Sequence, residues 1–235
     1  MESNCNDALD YYPGKLIALE GVDGAGTTTQ AFFLHQKLIA EGYKAHLTKE
    51  PSSGAVGQLI RKIIGGGGNT FPLFSQKDKV YFKIFMSLLF TADRVEHLNA
   101  EIIWRLKQGE HVITDRYALS TLVYQVDEAV VTREWISQLI PLPVHPDITV
   151  ILQLDAEKAE ERLVLRGEKR EVYESSIEKI RRHSELYEEF SELAYDKEDE
   201  FLFLRHQNIV ALEADGSETE VAASVWNAVK EIIER

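Results

Sequence analysis

The chain has 235 residues, 44% hydrophobic and 28% charged, which excludes a disordered or collagen-like polymer and leaves room for one or two domains with a sizeable core. Its 39 acidic and 26 basic side chains give a formal charge of −13, which excludes a protein that coats nucleic acid or anionic membrane by bulk charge. The surplus lies at the ends: residues 1–13 hold three acids and no base, residues 185–235 hold 14 acids against four bases, and residues 14–184 balance at 22 against 22, so an anion-handling site is expected in the middle.

Residues 1–13 read as a flexible polar tail ending at Pro13-Gly14, followed by a single domain over 14–235. The lone Cys5 stands in that tail, cannot form an internal disulfide and fits a reducing compartment. No signal peptide is visible and no apolar run approaches the roughly 18 residues of a membrane span. The longest such run, 81–92, is broken by Lys83, and a soluble cytoplasmic protein is the expectation.

The continuously apolar 16–19 predicts a buried parallel strand, and 28–41 a helix stopped at Gly42. A strand over 44–48 and a short helix over 56–64 follow, the latter ended by Gly65 to Gly68, which reads as a mobile loop. Two long helices are predicted over 76–90 and 92–107, then a strand over 111–114 closed by Asp115. Helices over 119–125 and 132–139 lead through Pro141, Pro143 and Pro146 into a strand over 148–154. Charged helices fill 156–195 with an interruption near Gly167, and a strand over 209–212 and a helix over 218–233 complete the chain. The alternation predicts one α/β domain with a parallel sheet and right-handed crossovers.

Gly21-Val22-Asp23-Gly24-Ala25-Gly26-Thr27-Thr28-Thr29 joins the first strand to its helix with the Gly-x4-Gly spacing of a phosphate loop. Glycines let backbone N–H groups turn toward phosphate oxygens, and the helix N-terminus adds partial positive charge. Thr28 would offer its hydroxyl to Mg²⁺. The lysine expected after Gly26 is Thr27, which removes the charge that normally reaches the β- and γ-phosphates. The same residues also suit a tight strand-to-helix turn. Asp115 suits a metal-holding carboxylate at a strand end, or a helix cap. Phe90, inside an apolar helix, suits core packing. Ser120 and Tyr124, one turn apart, share a face that is either part of a site or a surface pair. Arg162, Arg166, Lys169 and Arg170 form a basic cluster around Gly167, interleaved with Glu160, Glu161, Glu168 and Glu171 that would make it an ordinary solvated face.

Taken together, the Glu20-Gly-x-Asp-Gly-x-Gly loop with Thr28-Thr29-Gln30, Lys49-Glu50-Pro51, Leu88 to Arg94, and Asp115-Arg116-Tyr117 with Ser120, Tyr124 and Gln125 resemble the thymidylate kinase (dTMP kinase) family of P-loop nucleoside monophosphate kinases. The likeness runs from about Lys15 to the C-terminus, and its motifs are specific in this order and spacing. It implies a three-layer P-loop fold, a parallel sheet flanked by helices, with a small lid at about 162–174. It implies ATP and Mg²⁺ as cofactors and a homodimer, while the charge and the lack of a long apolar run lead to the expectation of no nucleic acid or membrane partner. The loop 21–29 would hold the donor phosphates, with Thr28 and Asp115 at the metal. Glu50, Phe90, Arg94, Arg116, Ser120, Tyr124 and Gln125 would bind the acceptor, Phe90 stacking on thymine, Arg94 reading the base and Arg116 gripping its phosphate. The catalytic set implied is Asp23, Asp115, Arg116, Arg166 and Arg170, the last two being lid arginines that bring charge where the loop carries Gly24. Residues 214–217 resemble the loop beside the donor adenine and are equally an ordinary helix start.

The expected function is phosphorylation of dTMP to dTDP. The missing lysine leaves two accounts open, in which Lys15, Lys49 or the lid bases replace its charge or donor binding is weak. The competing functions are a kinase of another nucleotide such as dUMP, or of a deoxynucleoside, and a catalytically silent nucleotide-binding module. A GTPase-like switch would leave the acceptor residues without purpose.

Overall fold

The computed structural model describes residues 12–65, 79–126, 131–139, 144–166, 176–193 and 208–235. Leu16, Ile17, Ala18 and Leu19 are all at most 1% exposed, the burial that a strand covered on both faces needs. They belong to β1 (Leu16–Gly21), the centre of a sheet with β2 (Ala45–Lys49), β3 (His111–Asp115), β4 (Ile148–Gln153) and β5 (Ile209–Glu213). All four pairings are parallel and the order is β2-β3-β1-β4-β5. The chain thus leaves β1 between neighbours reached by separate crossovers, and loops from the carboxyl ends of the strands meet over that point, where open α/β sheets bind ligands.

The helices are α1 (Thr27–Ala40), α2 (Ala55–Gly65), α3 (Lys79–His97), α4 (Ile103–Lys107), α5 (Ala118–Gln125), α6 (Arg133–Leu139), α7 (Ala156–Arg166), α8 (Ile177–Leu193) and α9 (Glu218–Ile233). Helices α1 and α9 pack on each other and on the sheet, while α5 and α8 form a second group against β1, β4 and β5. The main core is built from the sheet and these helices, with Leu34, Leu38, Leu122, Phe190, Val225 and Val229 among its fully covered side chains. A separate small core, Ile60, Ile63, Ile64 and Met86, joins α2 to α3.

The two helices expected over 76–90 and 92–107 are one run. Thr91 returns its hydroxyl to the Ser87 carbonyl at 2.9 Å and no glycine or proline interrupts, so α3 passes through it. The run continues as a π-helical turn over Leu98–Ile102, in which the Ile103 N–H reaches back to the Leu98 carbonyl, and then as α4. Residues 76–78, the glycines 66–68, the prolines 141 and 143, and 1–11 with Cys5 lie outside the described residues.

Candidate active site

The loop after β1 is shaped by glycine. Gly24 has φ +90°, and a Cβ there would meet the Ala159 carbonyl oxygen at 2.6 Å, so only glycine lets α7 pack this closely on the loop. Gly26, at φ +97°, ends the loop with no side-chain cap on α1. The first N–H groups of that helix therefore point into the loop without a side-chain acceptor, which suits an anion. Thr27, in place of the expected lysine, begins α1 and is 6% exposed. Thr28 Oγ1 donates to Asp115 Oδ2 at 2.5 Å, and Asp115 Oδ1 is buried with no partner among the described residues. A buried carboxylate oxygen beside a hydroxyl, under a phosphate loop, fits a hard cation such as Mg²⁺. Asp115 does not cap α5, so the capping alternative fails.

That cap is supplied by Glu20, which the sequence reading quoted only as part of the loop motif. Its Oε1 accepts the N–H groups of Tyr117 at 2.9 Å and Ser120 at 3.2 Å, and its Oε2 the hydroxyls of Ser120 at 2.5 Å and Tyr187 at 3.0 Å. Burial pushes its carboxyl above the ordinary glutamate value against these hydrogen bonds. The signal for it was an acid closing an otherwise apolar strand.

Arg116 has a left-handed φ of 73°, rare for a residue with a side chain and found where surrounding contacts over-determine the backbone. Its N–H donates to the Leu19 carbonyl at 2.9 Å and its carbonyl accepts the Thr114 hydroxyl at 2.7 Å. Its guanidinium donates to the Gly21 carbonyl at 2.8 Å, to Ser120 Oγ at 3.2 Å and to Tyr187 Oη at 3.3 Å, and pairs with Asp23. Burial opposes that charge most strongly of any single cause, but Asp23 together with Tyr124, Tyr187 and Asp115 raises the guanidinium pKa. The Tyr124 ring centroid lies 5.1 Å from the guanidinium carbon and 4.4 Å from the centroid of the His183 ring. Ser120 and Tyr124 are therefore not a surface pair.

Arg94 lies across the cleft, 1% exposed. Its Nε and Nη2 donate to Glu50 Oε2 at 3.0 and 2.7 Å, and Nη2 also to the Tyr117 carbonyl at 3.0 Å and Thr121 Oγ1 at 2.9 Å. Its Nη1 is buried without a partner among the described residues. Burial works against this cation, and Glu50 more than offsets it, so its pKa is raised.

These groups line one open cleft of about 600 Å³ that gathers Glu50, Phe90, Arg94, Arg116, Ser120, Tyr124 and Gln125 with Asp23, Pro51, Ile64, Tyr117 and Thr121. Phe90 lines it while packing against the small core of α2 and α3, so core packing does not remove its ring from the cleft. A second cleft on the other side of the loop is lined by Gly26, Thr29, Gln30, Arg162, Ala214, Gly216 and Ser217. Arg162 is not simply part of a solvated face. It is a strut, with guanidinium nitrogens donating to the Ala214 carbonyl at 2.9 Å and the Gly24 carbonyl at 3.4 Å. Ser217 caps α9 through a capping box with Glu220, so the helix-start reading of 214–217 holds as well as its place in the cleft. Arg166 ends α7, while Gly167, Lys169, Arg170 and the rest of the expected lid to 174 lie outside the described residues. Lys15 cannot replace the loop lysine, because it pairs with Asp147 at 3.5 Å at the amino end of β1, the opposite edge of the sheet. Lys49 ends β2 in register with Asp115 and is exposed.

A parallel sheet ordered in this way, with a glycine loop feeding α1 and a threonine and aspartate beneath it, defines a P-loop nucleotide-binding protein of the nucleotide kinase class. The family model for thymidylate kinase matches residues 19–214. The chain is 35% identical over 219 residues to a probable thymidylate kinase of Pyrobaculum aerophilum, covering 92% of this chain and 97% of that protein. A thymidylate kinase of a Synechococcus species is 36% identical over 217 residues, covering 91% and 94%, and a probable thymidylate kinase of Methanococcus vannielii 36% over 183 residues, covering 78% and 81%. The chain belongs to the thymidylate kinase family.

Proposed function

We propose that this protein transfers the γ-phosphoryl group of ATP to dTMP, yielding dTDP and ADP. The observation that carries this reading is the unpartnered Nη1 of Arg94, buried at the edge of a cleft that also offers the Phe90 ring and, across it, the Arg116 guanidinium. A fixed donor with no acceptor of its own suits a pyrimidine carbonyl, not an amino group. Phe90 supplies an aromatic face for the base, worth about 1–3 kcal/mol.

The acceptor phosphate would meet Arg116, sharing it with Asp23, and one of its oxygens would attack the γ-phosphorus. The new P–O bond forms as the bond to the β-phosphate oxygen breaks, with ADP leaving. Loop N–H groups from Gly21 to Thr29 would bind the donor phosphates, and the cleft around Arg162 and Ala214 would take its base. Thr28 and Asp115 would hold Mg²⁺, which when bound neutralises charge on the donor phosphates. The protein's own work is positioning and charge stabilisation, since phosphoryl transfer asks little covalent chemistry of it. Arg166 and Arg170 would add charge over the transferring group. Thr27 favours one second reading, a nucleotide-binding member with weakened catalysis.

An assay of ADP release over dTMP, dUMP, dCMP and purine monophosphates decides between them. The expected result is highest turnover with dTMP; dTMP binding without dTDP formation establishes the silent module instead.

The same reading includes a homodimer and a cytoplasmic setting, where nucleotide substrates are supplied. Tyr81, Leu88 and Val95 recur every seven residues along α3 at 66%, 47% and 54% exposure, an apolar stripe that suits self-association. Among the described residues no helix is long and apolar enough to cross a membrane.

A further inference from the structure

The carboxylate that holds Arg94 is itself held. Glu50 directs Oε2 at Arg94 and turns Oε1 to Nδ1 of His97 at 3.4 Å. The His97 side chain is 0% exposed, and its Nε2 shares a 2.8 Å hydrogen bond with Thr48 Oγ1 and lies 3.5 Å from Glu101 Oε2. The other oxygen of Glu101 meets His46 Nε2 at 2.6 Å, on the edge strand β2. A chain of side chains thus runs from the cleft to the sheet edge: Arg94, Glu50, His97, Glu101, His46. Glu101 sits in the π-helical turn that follows His97, and such turns recur at functional sites.

A carboxylate accepts only, so a hydrogen bond from His97 to Glu50 requires the proton on Nδ1; the Thr48 hydroxyl can donate to or accept from Nε2, while Glu101, also an acceptor, pairs with that nitrogen when the ring carries both protons. Glu50 has no comparable freedom to rotate while both of its oxygens are engaged. Arg94, tied through Nε and Nη2, then presents Nη1 in one direction only. We propose that His97, braced by Thr48 and Glu101, is a positioning residue for recognition of the acceptor base: it orients Glu50, and through it the free nitrogen of Arg94. The inference rests on reading this cleft as the acceptor site. His97 touches no reacting atom, and its effect should fall on acceptor affinity and base selectivity, leaving the donor site untouched.

Equilibrium binding of dTMP and dCMP to the full chain, with steady-state kinetics for both nucleotides and ATP, tests this. His97→Phe keeps the volume and removes both ring nitrogens. It is expected to weaken dTMP binding about tenfold, to narrow the preference for dTMP over dCMP, and to leave the KM for ATP unchanged. His97→Asn retains an N–H for Glu50 and is expected to restore most of the loss. Glu101→Gln, at a partly exposed side chain, is expected to weaken dTMP binding several-fold and decides the matter should His97→Phe not fold. If the unmodified chain binds dTMP and Glu101→Gln matches it in affinity and selectivity, or a folded His97→Phe does so, the positioning role is wrong. An Asn variant as impaired as a folded Phe variant is likewise against it. If the unmodified chain does not bind dTMP, the acceptor reading itself falls, a result that equal binding by chain and variants cannot mimic.

Discussion

At the scale of single residues, Thr27 and His183 carry the sharpest consequences. Thr27 opens α1 beside N–H groups that suit donor phosphates, so Thr27→Lys should place a cation on them and lower the KM for ATP, by about tenfold or more if the charge is the missing element. Steady-state kinetics with ATP varied at saturating dTMP measures it; an unchanged KM and turnover would mean that the loop handles phosphate without that charge. His183 packs against Tyr124, and burial first, then Arg116 and nearby lysines, push its imidazole down to about 4 from an ordinary 6.5. Between those values the unfolded chain binds a proton that the folded one refuses, so stability falls as pH drops through that window. The loss between pH 7 and pH 5 is about 2 kcal/mol. His183→Phe keeps a ring against Tyr124 and removes the proton, so its melting temperature should fall less over that range than the unmodified chain's. The glycine loop and the residues that line the larger cleft were legible because their types and spacing are local. Glu20, His97, His183 and Tyr187 were not, because their partners lie up to 167 residues away and only packing brings them together.

Among elements, the loop and α7 depend on each other. Gly24→Ala would bring a Cβ to 2.6 Å from the Ala159 carbonyl at a φ of +90°, so either the loop or α7 must move. The left-handed conformation alone costs about 1–2 kcal/mol, enough to lower the melting temperature by several degrees, and the shifted loop should raise the KM for ATP. A thermal melt and donor kinetics on the one variant check both; an unchanged melt would show that the contact yields freely. Element types and most boundaries were readable from periodicity and from the stops at Gly42 and Gly109. The exception was the division placed at Thr91, where the helix runs on and the hydroxyl bonds within it.

For the whole molecule, the charge of −13 describes the surface more than the site. The cations that face the clefts, Arg94, Arg116 and Arg162, all lie in the neutral middle, and each is tied to a carboxylate or a carbonyl that fixes its direction. The α3 stripe predicts a dimer, and Leu88→Asp, at a side chain already 47% exposed, should give a particle near the 26.7 kDa of one chain in sedimentation while the unmodified protein runs at about twice that mass. A monomer in both would assign the stripe no role in self-association. The amino-acid sequence by itself determined the parallel α/β class, the glycine loop with its missing lysine, and the residues that line the larger cleft, because hydrophobic period, glycine spacing and strand-end acids are properties of neighbouring positions. Only the tertiary structure decided that Arg162 is a strut, that Lys15 faces away from the loop, that Glu20 caps α5, and that Arg94 keeps one nitrogen free. Those outcomes depend on which side chains and carbonyls meet across the sheet, and pairing between distant segments leaves no periodic trace in the chain.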